Sequence, residues 1–311
     1  MEERQNKKGA KVAEFLLNIL RGVCIGVAFI IPGFSGGSIA AILGIYERLV
    51  GAIADIFKQF KKSILFLLPI GLGMVLGIMA LMFPLQWALA NYPIPTVCLF
   101  VGLALGGMPS VTEKIKKPRF LNVFSVLIPL ALAAALSFLP LAGEVDLFAL
   151  QPFGYVMLFV IGVVGSCALV IPGISGSMLL LIFGYYNPIV RMITGLIKGQ
   201  HIGTSLLVLG LVGAGIIVGF FLISVIMKWL LKTHPRGTYC AIAGFILGSI
   251  PTVFISTVKD AGLTVTLYTF PLWYWLVCAI LLFVGVIIAY GTILIARKAS
   301  EKHPRNKSEK I

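Results

Sequence analysis

Two long apolar stretches of the chain, residues 13–56 and 154–195, are each interrupted near the middle by prolines, glycines and serines. The interruptions read Ile31-Pro32-Gly33-Phe34-Ser35-Gly36-Gly37-Ser38 and Ile171-Pro172-Gly173-Ile174-Ser175-Gly176-Ser177. Proline lacks the amide hydrogen that a helix interior needs, and glycine weakens a helix by about 1 kcal/mol relative to alanine. The sequence therefore predicts that each stretch is a broken helix hairpin and not one continuous helix.

The composition places these stretches in a membrane. Of the 311 residues, 59% are hydrophobic and 12% are charged. Soluble domains are about 45–50% apolar and about 25% charged, so a water-soluble globular protein is excluded. Six further apolar runs approach the ~20 residues that cross a hydrocarbon core. They are residues 63–84, 96–111, 121–142, 203–231, 238–256 and 271–296. The predicted fold class is an all-α polytopic membrane protein.

The second half of the chain repeats the first. A shift of 140 residues aligns the two interruptions, and a shift of 142 aligns the spans that follow them. Each half thus holds one broken hairpin, expected to be re-entrant, and three spans, so an odd number of crossings inverts the second half relative to the first. The predicted segments are a basic tail at 1–12, repeats at 13–142 and 154–296, and a second basic tail at 297–311.

The basic residues predict the orientation of this inverted repeat. Twenty of the 25 Lys and Arg residues lie in the two tails and in segments 58–62, 114–119 and 228–236, and three lie in the loops of the opposite side. The positive-inside rule therefore places both termini in the cytoplasm. The net charge of +14 is spread over these short clusters and forms no basic face interleaved with aromatics, which disfavours nucleic-acid binding. The count does not distinguish a re-entrant hairpin from two full crossings.

The two interruptions are the predicted substrate site. Non-helical backbone at membrane depth is tolerated where it is buried in protein or lines a wet cavity. Serine hydroxyls and the free amides of a restarting helix favour an anion such as phosphate. The alternative is a pair of structural kinks that only close the hairpins. The predicted substrate-binding residues are Pro32, Gly33, Ser35, Gly36, Gly37 and Ser38 in the first half, and Pro172, Gly173, Ser175, Gly176 and Ser177 in the second.

Three charged residues of the first broken stretch, Arg21, Glu47 and Arg48, have the uncharged counterparts Ile161, Asn187 and Pro188 in the second. One interpretation is a cationic mouth that gathers an anionic head group, with Glu47 as counter-ion or proton carrier. The other is a structural ion pair that snorkels to the interface. The spacing leaves both interpretations open.

Glycines four residues apart recur along the predicted helices. Such small-residue pairs let two helices approach closely in a membrane, so packing is the expected role, with a sliding surface as the alternative. The pairs are Gly22 with Gly26, Gly73 with Gly77, Gly102 with Gly106, Gly215 with Gly219, and Gly244 with Gly248.

The two Ile-Pro-Gly-x-Ser-Gly segments, each followed by Gly-x-Tyr at Gly44 to Tyr46 and Gly184 to Tyr186, resemble the polyprenyl-phosphate transporters, also called the undecaprenyl phosphate translocase family. The resemblance covers residues 13–296. It implies a flippase in the bacterial plasma (inner) membrane that returns undecaprenyl phosphate from the outer to the cytoplasmic leaflet for cell-wall polymer synthesis. The implied partners are this anionic lipid and membrane lipids. No cofactor is expected, and proton or sodium coupling and oligomerisation are left open.

Other functional classes compete with this interpretation. A transporter or channel for a small soluble anion would use the same repeats and helix ends, and a scramblase would equilibrate the leaflets without energy coupling. An intramembrane serine protease needs a base beside its serine, but no His lies inside a predicted span, and the one Lys, Lys228, lies near the end of the run 203–231. A lipid phosphatase is disfavoured by the absence of intramembrane His and the scarcity of Asp.

Overall fold

The computed structural model describes residues 2–30, 35–115, 121–139, 142–260 and 270–302. Over these residues the chain forms 12 α-helices, one short 3-10 turn at Leu136–Phe138 and no strand, which confirms the all-α prediction. The helices are α1 (Glu2–Ile30), α2 (Gly36–Ile42), α3 (Tyr46–Ala54), α4 (Phe60–Asn91), α5 (Pro93–Thr112), α6 (Leu121–Ala135), α7 (Pro152–Val170), α8 (Gly176–Ile182), α9 (Tyr186–Ile197), α10 (Ile202–Thr233), α11 (Pro235–Asp260) and α12 (Leu272–Lys302).

Six of the described helices are long and apolar enough to cross a membrane, so the chain is a multi-pass membrane protein. Five of them, α4, α5, α10, α11 and α12, are predicted spans, and the sixth is Val12–Phe29 within α1. The predicted span at 121–142 is shorter in the structure, because α6 has 15 residues and ends at Ala135. After the 3-10 turn, Leu139 is extended, as expected for a residue that precedes a proline.

The helices of the second half recur in the same order as those of the first. In each half the first helix packs along the fourth, α1 on α4 and α7 on α10. The last helix of each half packs on the other half, α12 on α5 and α6 on α11, so the halves are interlocked. The inverted orientation of the two halves stays a prediction.

The small-residue pairs lie where these helices meet. A Cβ atom on Gly22 would lie 2.1 Å from the Ile70 carbonyl oxygen, and one on Gly73 would lie 2.0 Å from the Ile19 carbonyl oxygen. The repeat reproduces this contact, since a Cβ atom on Gly215 would lie 2.1 Å from the Phe159 carbonyl oxygen. No side chain fits in these gaps, so the prediction of close packing is confirmed.

The main buried core lies between the two halves. Ala40 and Val50 from the first broken stretch pack there with Val97 of α5 and Ile246 of α11. The outer helices α4, α10 and α12 expose large apolar side chains such as Met79, Ile217 and Phe283, as lipid-facing helices do.

The two halves differ in the packing of their broken hairpins. Helix α3 packs against α10 of the other half, whereas no comparable packing joins its counterpart α9 to α4 among the described residues. Helix α9 packs instead on α10 of its own half, and α8 and α9 are bent by 105° at the turn between them. The repeated sequence therefore adopts two different arrangements in one molecule.

Candidate functional site

Both interruptions separate two helices, as predicted. Helix α1 ends at Ile30 and α2 begins at Gly36, and α7 ends at Val170 and α8 begins at Gly176. Ser35 and Ser175 have extended backbones and are the N-cap residues of the restarting helices. Two of the predicted site residues, Pro32 and Gly33, lie outside the described residues.

The two breaks contact each other. Ser35 Oγ donates a hydrogen bond of 3.3 Å to the carbonyl oxygen of Ile171, and Tyr46 Oη donates one of 3.1 Å to the carbonyl oxygen of Val170. The last carbonyls of a helix have no partner within that helix. Two hydroxyls of the first half therefore satisfy the end of α7 in the second half, so the structure brings the two predicted clusters into contact.

The second break satisfies its own polar groups. Ser175 Oγ lies 2.9 Å from Ser177 Oγ and accepts a bond of 3.4 Å from the amide of Met178. Pro172 and Gly173 are buried, and Gly173 has a φ of +84°. A Cβ atom there would lie 2.3 Å from the Phe245 carbonyl oxygen, so only glycine fits this turn.

The first break retains an unpaired donor. Ser38 Oγ has no hydrogen-bond partner within the described part of the chain, and Ser38 is 1% exposed. It lies in the first turn of α2 with Gly36 and Gly37, which are also buried. A buried hydroxyl without a partner costs about 1–3 kcal/mol, so Ser38 marks this turn as a place where an anionic oxygen would be favourable.

The three predicted charged residues take separate partners. Arg21 Nη1 donates a bond of 3.0 Å to Asn18 Oδ1. Arg48 forms an ion pair with Glu14, and its guanidinium lies 4.2 Å from the ring centroid of Phe66. The two arginines therefore bind different residues of α1, and their role as a cationic mouth stays a prediction.

Glu47 takes part in a contact between the halves. Its Oε1 accepts a hydrogen bond from the hydroxyl of Tyr239 at the start of α11 and lies 3.7 Å from Lys114 Nζ, just after α5. The other end of α3 is held by Asp55, which is 9% exposed and accepts a hydrogen bond from Lys228 Nζ of α10. Sequence reasoning missed Asp55 and Lys228, because they are 173 residues apart and nothing in the spacing pairs them.

The opposite hairpin is held by a different ion pair. Glu144, in the segment before α7, pairs with Arg191 and accepts a bond of 2.9 Å from Asn187. The hydrogen bonds from Arg191 and Asn187 lower the pKa of the Glu144 carboxyl below its ordinary value. This pair ties α9 to its own half, whereas Asp55 and Lys228 tie α3 to the other half.

A family model described as undecaprenyl phosphate translocase-like matches residues 25–266, which include both breaks. The chain belongs to this family. It is 31% identical to the polyprenyl-phosphate transporter of Staphylococcus aureus over 244 residues, with 76% of this chain and 86% of that protein covered. It is 28% identical to the polyprenyl-phosphate transporter of Vibrio cholerae, with 78% and 79% covered. No solved structure matches the chain. The resemblance seen in the repeated motif is confirmed.

Proposed function

We propose that this protein transports a polyprenyl phosphate across the bacterial inner membrane, and that it moves undecaprenyl phosphate from the outer to the cytoplasmic leaflet for reuse in cell-wall polymer synthesis. The observation that carries the proposal is the contact between the two breaks, in which Ser35 Oγ donates to the Ile171 carbonyl, together with the buried Ser38 hydroxyl, which has no partner among the described residues. The names of the two bacterial relatives support the same substrate.

The physical problem of this transport is the head group. A phosphate loses its hydration in a hydrocarbon core about 30 Å thick, whereas an apolar isoprenoid chain is soluble in that core. A carrier therefore needs a small polar site inside the membrane and an opening to the lipid beside it. The serine hydroxyls and helix-start amides of the breaks offer such a site without a buried cationic side chain.

In this mechanism the phosphate binds between the two breaks. Ser35, Gly36 and Gly37 would donate from the first half, with Ser38 as the spare hydroxyl. Ser175, Gly176 and Ser177 would donate from the second, once their mutual hydrogen bonds rearrange. Pro32, Gly33, Pro172 and Gly173 would shape the turns so that the backbone approaches the ligand. The protein acts in this proposal as a transporter and catalyses no covalent step.

The packing of α3 on α10 closes one end of the path. That end carries Lys61 and Lys62 before the apolar part of α4, Lys114 after α5, and Lys228 and Lys232 at the end of α10. The positive-inside rule assigns it to the cytoplasm, with both termini. The conformation described here would then be closed to the cytoplasm, and release of the phosphate there would require the contacts of Glu47 with Tyr239 and of Asp55 with Lys228 to open. Glu47 is the candidate proton carrier if the cycle is coupled to a proton gradient.

The test measures the amount of undecaprenyl phosphate on the outer leaflet of cells depleted of this protein and of any redundant flippase. A phosphate-directed lipid-binding antibiotic detects the exposed lipid. We expect it to rise on depletion, to fall when the wild-type gene is restored, and to stay high with the double variant Ser35→Ala and Ser175→Ala. Ser224→Ala is the matched control, because this hydroxyl bonds within its own helix, to the Phe220 carbonyl.

Three results would contradict parts of the proposal. Unchanged outer-leaflet levels on depletion would exclude lipid-carrier recycling and favour a small soluble anion as the substrate. Full rescue by the double serine variant would place the phosphate site elsewhere. If the restored wild-type gene produces equal amounts of undecaprenyl phosphate in the two leaflets, in energised and in de-energised cells alike, the protein is a scramblase.

A further inference from the structure

An apolar groove opens on the surface of the first half, between α1, α4, α5 and α12. Its volume is about 640 Å³, within the range of ligand-binding pockets. Nearly all of its lining is hydrocarbon, and Leu81 and Val277 at its rim are exposed on the apolar outer surface. The groove therefore communicates with the lipid from the side.

One end of the groove lies beside the first break. Val27 lines it, three residues before α1 ends at Ile30, which corresponds to a rise of about 4.5 Å along the helix. Two residues after Val27, the ring of Phe29 faces Gly36 at the start of α2, where a Cβ atom would lie 2.8 Å from the ring. A ligand with a polar end at the break could continue directly into the groove.

The other end of the groove lies far from the basic segments. It extends along Leu85 and Ala88 to Tyr92, where α4 ends, whereas Lys61 and Lys62 lie at the beginning of that helix. In the orientation of the proposed function, the groove lies in the outer-leaflet half of the membrane.

The second half shows what occupies the equivalent place. The shift of 142 residues maps Leu81 of the groove onto Ile223, which is buried in one cluster with Tyr46 and Val50 of α3. Leu85 and Phe100, deeper in the groove, are as buried as their counterparts Met227 and Ile242. Leu81 is 40% exposed, whereas Ile223 is 8% exposed. Helix α3 packs on α10 in the second half, whereas the described residues show no comparable packing of α9 on α4 in the first. The apolar surface at Leu81 is therefore left uncovered by the hairpin of the other half.

We propose that this groove binds the isoprenoid chain of the substrate next to its phosphate, while the phosphate is held at the breaks. This inference rests on the proposed function. In a polyprenyl phosphate the phosphate ester is attached directly to the first isoprene unit, so the chain of a phosphate held at the first break would begin beside the end of α1, where Val27 lines the groove. In a phospholipid, glycerol and two ester groups separate the phosphate from the acyl chains. The groove lining is almost entirely apolar, and the Thr96 hydroxyl is already bonded to the Ala88 and Tyr92 carbonyls, so the groove offers little to satisfy those esters.

Binding here depends on the shape of the groove. Apolar groups gain no hydrophobic energy on moving from lipid into protein, so the chain is held by dispersion contacts with the groove walls. A side chain that narrows the groove should therefore weaken binding of long-chain substrate, while a substrate with a single isoprene unit should be less affected.

Photo-crosslinking tests the location of the chain. A benzoylphenylalanine residue replaces Leu281, which lines the groove, in the full-length protein in vesicles of bacterial phospholipid with undecaprenyl phosphate. The matched control replaces Phe283, which is 66% exposed and two residues away on α12. We expect the polyprenyl adduct, identified by mass spectrometry, to be about tenfold more abundant at 281 than at 283, a difference of about 1.4 kcal/mol in local occupancy. Equal adduct yields, or phospholipid adducts alone at 281, would overturn the inference.

A transport comparison separates this inference from the proposed function. Ala88→Phe narrows the groove, and Ala90→Phe adds the same bulk two residues away on α4, at an exposed position outside the lining. We expect Ala88→Phe to raise the KM for undecaprenyl phosphate by about tenfold, and to leave inhibition by a phosphate with one isoprene unit unchanged. Wild-type transport with equal KM values for the two variants would reject the groove and keep the function, whereas absence of wild-type transport would reject the function itself.

Discussion

The carboxylate of Asp55, just after α3, accepts a hydrogen bond from Lys228 Nζ of α10, and this pair ties the first broken hairpin to the opposite half of the molecule. The Asp55 side chain is 12% exposed and that of Lys228 is 36% exposed. Removing one partner from a fully buried ion pair costs about 3–5 kcal/mol, because a charge remains without compensation. Partial exposure of Lys228 reduces this cost, so the pair is well suited to a contact that must open and close.

Loss of this ion pair is expected to loosen the packing of α3 on α10. In Lys228→Ala, the carboxylate of Asp55 would draw water into the contact. A cysteine introduced at the buried residue Ala54, in a background without native cysteines, should then react several-fold faster with a membrane-impermeant maleimide. The double variant Asp55→Lys with Lys228→Asp should restore slow labelling. If Lys228→Ala is labelled at the wild-type rate, the pair does not hold this end closed.

The hydrogen bond from Tyr46 Oη to the Val170 carbonyl should contribute measurably to stability. Tyr46→Phe keeps the ring and leaves this helix-end carbonyl without its partner. We expect a loss of about 0.5–2 kcal/mol, seen as a lower thermal midpoint in detergent micelles. Tyr186 is the matched control, because it is the repeat counterpart and the structure gives it no corresponding bond within the described residues. Equal shifts for Tyr46→Phe and Tyr186→Phe would contradict this role.

The close contact of α1 with α4 predicts a sharp difference between two glycines of the same helix. In Gly73→Ala, the new Cβ atom would lie 2.0 Å from the Ile19 carbonyl oxygen, so the helices must separate. Overpacking of this kind costs about 1–3 kcal/mol. In Gly71→Ala, nothing lies within 4 Å of the new atom. The thermal midpoint and membrane yield should fall for Gly73→Ala and stay at or above the wild-type values for Gly71→Ala, and matching losses would argue against the contact.

The ion pair of Glu144 with Arg191 predicts a response to acid. Arg191 and Asn187 lower the pKa of Glu144 in the folded protein, so the stabilisation is complete above the ordinary value of 4.5 and is lost as the pH falls through the lowered pKa. Thermal midpoints of the wild type and of Glu144→Gln should therefore differ at neutral pH and converge under acidic conditions. A difference that is constant down to the acid limit would show that the carboxylate charge does not matter here.

Several features of this fold could be predicted from the sequence because their causes are local. Pro32 and Pro172 are each followed by a run of glycines and serines that disfavours a continuous helix, so the breaks before Gly36 and Gly176 follow from the local sequence. Isolated prolines, such as Pro69 and Pro84, lie inside α4. Run length predicted the spans α4, α5, α10, α11 and α12, and the spacing of Gly22 and Gly73 predicted a close helix contact. The span predicted at 121–142 is longer than α6. The length of an apolar run does not show where the helix ends before the extended residue that precedes Pro140.

The sequence by itself determined that the chain is a duplicated membrane protein with two broken hairpins. Only the tertiary structure decided that Ser35 reaches the Ile171 carbonyl, that Asp55 pairs with Lys228, and that α3 and α9 pack differently. Two similar halves can each offer the same surfaces, so the local pattern is compatible with either arrangement. The choice depends on side-chain packing and ion pairs between residues more than a hundred positions apart, and these contacts leave no periodic signal in the sequence.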